Sequence, residues 1–174
     1  MYETLVEIEQ LQALLTASRE RGTSHLQQII SDDHSLSAEE LLPRLEGMRV
    51  LSLATVTAKG EPRVSAVDGH FIHGSWTFGT DGRSAKARHL AARPAVSAAY
   101  IDGERLGFFT HGSVERLGFF THGSVERLDE SDPLVGEIIE HWTRHYDSDP
   151  RSWGDDIRMY RIVPSWSVAY AGEQ

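Results

Sequence analysis

At 174 residues with a formal net charge of −9 and a pI near 5.4, the chain can bury a real core and is too acidic for general nucleic-acid binding. It has no cysteine, which excludes disulfides, thiolate nucleophiles and cysteine metal sites and fits a reducing compartment, with the cytoplasm expected. No apolar run approaches a membrane span, and the opening MYETLVEIEQ has no basic n-region and does not read as a signal peptide.

Residues 1–46 read as a helical flank. Leu5, Ile8, Leu11 or Gln12, and Leu15 keep helical spacing as far as Gly22, and His25 to Ile30 suggests a second short helix. Ser37-Ala38-Glu39-Glu40 is a capping box ahead of Leu41, Leu42 and Leu45, and Gly47 ends that helix. Strands follow: residues 49–56, then Arg63 to Val67 after the turn at 58–62, then Trp76 to Gly79 after His73-Gly74-Ser75. Such short turns make these strands antiparallel neighbours. Ser84 to Ala92 reads as a short helix stopped by Arg93-Pro94, and Ala95 to Ile101 as another strand. Residues 129–146 return to helix with Pro133 at a favourable first position and an apolar stripe of Leu134, Val135, Ile138, Ile139, Trp142 and Tyr146. Ile157 to Tyr170 is a last strand, in which Pro164 demands an edge, bend or bulge. The whole chain, 1–174, is expected to form one domain: the flank 1–46, a barrel core 48–128, and a helix with the last strand in 129–174.

RLGFFTHGSVE at 105–115 recurs unchanged at 116–126. Solenoid repeats diverge and are longer, so this is a tandem duplication. Because 11 is odd, one regular strand cannot place equivalent side chains of both copies on one face. The expectation is that one copy occupies the sheet while the other bulges out, extends a hairpin or pairs with a partner chain.

In this acidic chain, Arg83, Lys86, Arg88 and His89 crowd into seven residues at a strand–turn–helix junction, with Arg63 on the neighbouring strand. A phosphate at the helix N-terminus would explain them. Free N–H groups, the helix dipole, the Ser84 hydroxyl and the Lys86 charge all favour an anion there. His70-x-x-His73 and His141-x-x-x-His145 make no complete zinc set, and these histidines read as surface or interface residues. Trp142 and Trp153 read as packing residues. Neither a P-loop or Rossmann glycine pattern, nor G-x-S-x-G, nor an evident pair of acid–base carboxylates is visible.

ATVTAKGEPRVSAVDG, then WTFGTDGRSAKARHLAARPAVSAAY, then HGSVERL, resembles the pyridoxamine 5′-phosphate oxidase-like superfamily, well over Val50 to Leu128 and weakly in the last strand. The most specific part is Phe78-x-Thr80-x-x-x-Ser84-x-Lys86, preceded by Arg63-Val64-Ser65. The resemblance implies a mainly β fold, an antiparallel FMN-binding split barrel with flanking helices. It also implies a homodimer with FMN at the subunit interface, taking a small-molecule substrate and no nucleic acid or membrane partner. Arg63, Ser84 and Lys86 would hold the phosphate, Val64 and Ser65 would lie along the isoalloxazine, and Phe78, Gly79 and Thr80 would reach the ring or ribityl chain. Tyr170 would approach from the partner subunit. Asp68, where many members carry Lys or an apolar residue, is expected to point away or to pair with Arg63. Ala85 replaces a common second basic residue, and the chain stops at Gln174 without the Arg and His residues that bind substrate phosphate in the oxidases proper. The resemblance therefore implies a flavin-dependent oxidoreductase that is not a true pyridoxamine-phosphate oxidase, with no required acid or base side chain. Deazaflavin or haem in the same barrel, or a non-catalytic flavin-binding dimer, are the alternatives.

Overall fold

The structure, a computed structural model, describes residues 2–121 and 133–171, and within these the side chains of 115–121 are left aside. Six strands close an antiparallel barrel in the order β1-β2-β3-β6-β5-β4: β1 Met48–Val56, β2 Pro62–Ile72, β3 Ser75–Asp81, β4 Ala95–Asp102, β5 Leu106–Thr121 and β6 Asp156–Tyr170. Helices α1 (Leu5–Glu20), α2 (Ser24–Ile29) and α3 (Ala38–Leu41) precede the barrel, α4 (Ala85–Ala92) joins β3 to β4, and α5 (Pro133–Tyr146) precedes β6. No helix among the described residues is long and apolar enough to cross a membrane.

Local chemistry sets these elements. Thr4 with Glu7, and Ser37 with Glu40, form reciprocal capping boxes that start α1 and α3. In α1, Leu11 and Leu15 are buried, but Leu5 is 80% exposed, so the expected stripe faces the barrel only over its second half. β2 continues past the expected Val67 to Ile72 and turns into β3 through His73 and Gly74. Both have positive φ (51° and 70°), the geometry a two-residue hairpin needs to match strand twist.

Alternation along the strands sorts the side chains. Leu51, Leu53, Val67, Trp76, Phe78, Phe108, Tyr160 and Ile162 fill the barrel, each large apolar side chain contributing about 1.5–3 kcal/mol by its burial. A second, outer cluster forms where α5 lies on the barrel: Val135, Ile138 and Trp142 pack against Ile72 of β2 and Met159 of β6.

The duplicated stretch departs from expectation. β5 carries the first copy and also the second copy as far as Thr121, and both pair with β6. The parity conflict is absorbed by register shifts. Leu117 is passed over between Arg116 and Gly118 on β5, and Ser165, next to Pro164, is passed over on β6. Gly107 and Gly118 therefore pair with Tyr170 and Met159, each two residues standing 11 apart. The expectation for the rest of the second copy, residues 122–126, lies outside the described residues.

Candidate functional site

The site is laid out by one face of β2. Its odd-numbered Val67 points into the barrel, and the even-numbered residues form an outward row. Val64, Ala66 and Asp68 are exposed, and the row then passes under α5, where His70 is buried. At that transition lies a cleft of about 510 Å³, within the range of small-molecule sites.

Aromatic rings form one wall. Trp142 and Trp153 stack at 6.1 Å and 6°, and Trp153 meets the Tyr146 ring edge-on at 4.8 Å. Trp142 approaches β3 closely because Gly79 has no side chain; a Cβ there would stand 3.2 Å from the indole. The opposite end is cationic and rich in donors. Ser84 caps α4, accepting from the Ala87 N–H at 3.1 Å, and its hydroxyl pairs with Thr80 Oγ1 at 3.2 Å. The Lys86 ammonium donates to the Ala66 carbonyl at 3.2 Å. Burial pulls the Lys86 pKa below the usual lysine range, with Asp68 pulling it partly back. An anion at this end would replace a neutral carbonyl by a full charge and meet the positive end of the α4 dipole.

The structure brings Gly79, Thr80, Ser84 and Lys86 together, and it disperses the other expected residues. Arg63 turns to Glu61 at 2.8 Å and to the Pro62 carbonyl. Arg83 is engaged by Asp81, whose pKa is drawn to about 2 by that hydrogen bonding. Arg88 donates to the Arg83 carbonyl, and His89 pairs with Thr55. The basic cluster therefore does not converge: each arginine has a nearby acceptor, and of that cluster Lys86 alone lines the cleft. Val64 is 70% exposed beside the cleft, Ser65 is half-buried on the opposite face of β2, and Phe78 stacks on Tyr160 inside the barrel. Tyr170 lies at the far end of β6, stacked on Phe109 and bridged to Ser35. Asp68 neither points away from the cleft nor pairs with Arg63; it lines the cleft with Lys86 and Tyr146.

Sequence reasoning missed the aromatic wall. Trp142 and Tyr146 are spaced i, i+4 at the end of the α5 stripe, and their polar-tipped rings were the available signal. It also read His70 as a surface or interface residue rather than a buried one. His70 is 1% exposed, and burial, then His141 and His145, depress its pKa to about 3. Among the described residues no group of three or more His, Cys, Asp or Glu is arranged to hold a metal.

Fold and cleft together define an antiparallel split barrel with a cleft of ligand size on its outer face. The family profile for pyridoxamine 5′-phosphate oxidase matches residues 37–166, and the chain belongs to that family. Solved structures with the same fold include HutZ, the haem storage protein of Vibrio cholerae (21% identity, 77% of this chain and 95% of that one, TM-score 0.60). An F420 reductase shares 23% identity over 71% of this chain and 91% of its own, with a TM-score of 0.51. A pyridoxamine 5′-phosphate oxidase-related, FMN-binding protein of Nostoc punctiforme shares 18% over 70% and 73%, with a TM-score of 0.51. No curated protein matches the sequence.

Proposed function

We propose that the chain binds FMN in this cleft as a homodimer and works as an oxidoreductase on a small molecule. One observation carries the reading: a donor-rich, cationic end and a flat aromatic wall face each other across a cleft of ligand size. Thr80, Ser84, Lys86 and the first N–H groups of α4 would hold the phosphate. Gly79 and the outer row of β2 at Val64 would border the ring. Arg63 would join the phosphate only by leaving Glu61. When bound, FMN supplies hydride or electron transfer, and the chain's residues anchor, orient and shield. Ala85 stands where a second basic residue is common, so Lys86 would carry the phosphate charge at the start of α4 without a neighbouring cation.

The dimer reading is supported by the outer face of β1, β2 and β4. Val50, Val64 and Ile101 are 55%, 70% and 55% exposed, and the small residues Ser52, Ala66 and Ala99 pair between them in register. An exposed apolar face of this kind is a docking surface, and a second copy set on it would close the open side of the cleft. Tyr170 would then enter from the partner.

Among the described residues no His, Cys or Met lines the cleft, and Tyr146 is the one lining side chain of a type that ligates haem iron. A deazaflavin carries a phosphate on a similar ring system and is the second reading. Titration of the purified protein with FMN, riboflavin and a deazaflavin, read by absorbance and fluorescence, tests both. FMN binding that greatly exceeds riboflavin binding is expected; absence of saturable binding by every one of them would refute the proposal.

A further inference from the structure

Behind the cleft, polar side chains form an unbroken line between β2 and α5. The Tyr146 hydroxyl lies 3.1 Å from His70 Nε2. His70 Nδ1 lies 2.9 Å from His141 Nε2, and His141 Nδ1 lies 2.8 Å from the Tyr2 hydroxyl. One end opens into the cleft, which Tyr146 and Asp68 line together. The other ends at a cavity of about 40 Å³ lined by Tyr2, Glu3, Glu46 and His141, room for a water. Glu3 Oε1 is buried without a hydrogen-bond partner and belongs to a residue lining that cavity, a ready acceptor for such a water. Only His70, in the middle, is fully buried.

We propose that Tyr146 is the proton donor of the cleft and that His70, His141 and Tyr2 are the relay that replaces its proton from the surface. The proposal rests on the cleft being the ligand site described above. With neutral rings and Tyr146 donating into the cleft, the line has one polarity. Tyr2 O–H donates to His141 Nδ1, His141 Nε2–H to His70 Nδ1, and His70 Nε2–H to the Tyr146 oxygen. The Tyr146 proton is then directed into the cleft, toward Asp68 or a bound acceptor. When Tyr146 gives that proton away, it takes one from His70 Nε2. His70 Nδ1 takes one from His141 Nε2, His141 Nδ1 takes the Tyr2 proton, and Tyr2 regains one from water. One proton enters the cleft, one leaves solvent, and neither imidazole changes charge. The rings finish in the opposite tautomer, and a proton released in the cleft in the other half of a redox cycle restores them.

Burial and the neighbouring cations favour neutral rings along the line, while Glu3 and Glu46 at its outer end are the carboxylates nearest to it. His70 faces His141 and His145 in a buried setting, and burial, then His145 and Arg144, also lower the His141 pKa. Tyr146 is pushed up to about 12, chiefly by burial and further by Asp68, so it remains a donor through the neutral range. Lys86 stands beside Asp68 across the cleft. Glu137 and Glu7 raise the His73 pKa against its burial, and its ring lies 6.4 Å from that of Tyr2.

The first test needs no cofactor. Long-range ¹H–¹⁵N spectra of histidine-labelled protein should show His70 and His141 neutral and protonated on Nε2 at pH 7. Tyr2→Phe, at the far end, should shift the His70 nitrogen resonances. An Nδ1–H form of either ring in the wild type, ordinary imidazole titration of His70, or no response to Tyr2→Phe overturns the relay. The second test loads FMN, reduces it with dithionite and follows proton uptake with an indicator dye. Tyr146→Phe should slow uptake by about 100-fold, the lower part of the range for a positioned general acid, and Tyr2→Phe should slow it less. Unchanged uptake in Tyr146→Phe with FMN bound also overturns the proposal. If FMN does not bind, the cofactor reading fails, and the tautomer pattern still decides whether the relay exists.

Discussion

Lys86→Ala measures the phosphate reading directly. Lys86 is half-buried at the head of α4, donates to a neutral carbonyl at 3.2 Å and lines the cleft that Thr80 also lines. A phosphate at that end would exchange the carbonyl for a charged acceptor, and a hydrogen bond to a charged group contributes about 1.5–3 kcal/mol. At about 1.4 kcal/mol per decade, removal of the ammonium should weaken FMN binding roughly 10- to 150-fold. Riboflavin, which lacks the phosphate, should bind wild type and variant alike. The cycle of two proteins and two ligands isolates the ammonium–phosphate term from any repacking of α4. Calorimetric titration at low and high salt checks it, because losing one cation should flatten the salt dependence. Equal losses for FMN and riboflavin, or none for either, would refute the assignment. Arg63→Ala should weaken FMN much less, because Arg63 already pairs with Glu61.

Other consequences follow from the same geometry. His70 is neutral in the fold with a pKa near 3 against 6.5 when unfolded. The unfolded chain therefore binds the extra proton between these values, and this group's stability, present above pH 6.5, falls on acidification by on the order of 1.4 kcal/mol per pH unit; urea unfolding from pH 7 to 4 checks the slope. His73 behaves oppositely. Burial opposes its charge, but Glu137 and Glu7 overcome that and raise its pKa. Its stabilisation is full below pH 6.5 and fades as pH rises through the raised value, so His73→Gln should destabilise at pH 6 and not at pH 9. Val64→Asp places a charge on the proposed docking face and should turn a dimer into a monomer by light scattering while the barrel's thermal unfolding is kept. Gly112→Ala drives a Cβ against the Val163 carbonyl at the β5–β6 register shift, and the backbone cannot yield cheaply there. A loss of about 1–3 kcal/mol or more is expected in thermal unfolding.

The barrel was legible because its signals are local. The capping box at Ser37, the His73-Gly74 turn and the β-branched and apolar run at 49–56 are short-range, and each appears where the pattern put it. Ser84, Thr80, Lys86 and Gly79 were legible as a group for the same reason, since all lie within eight residues of one strand–turn–helix junction. The behaviour of Arg63 and Arg83 was not. A run of basic residues fixes where charges start along the chain but not which acceptor each long side chain takes, and Glu61 and Asp81 were two residues away in both cases. The aromatic wall and the buried His70 were hidden for a different reason: residues 70 and 146 meet only because α5 crosses the outside of β2. An amphipathic stripe reports that a helix packs on something, and it does not report which strand face it covers.

That crossing is what divides the outer row of β2 into an open and a covered stretch. The row begins at Val64 in the open, passes the cleft at Ala66 and Asp68, and ends at His70 under α5. A strand whose outer face was wholly exposed would give a ligand no enclosure, and one wholly covered would give it no entry. Here a single residue, Gly69, separates Asp68 at the cleft from an imidazole whose burial and neighbours hold it neutral. An anchored ligand and a proton-conducting line can therefore share one strand without sharing residues. Asp68 can face Lys86 across the cleft while His70 and Tyr146 stay uncharged, because α5 keeps the solvated part of the row apart from the dry part. Removal of the Trp142 indole, which seals that boundary against Gly79, should let water reach His70 and raise its pKa toward the ordinary imidazole value. A histidine titration of Trp142→Leu unchanged from wild type would show that the seal lies elsewhere.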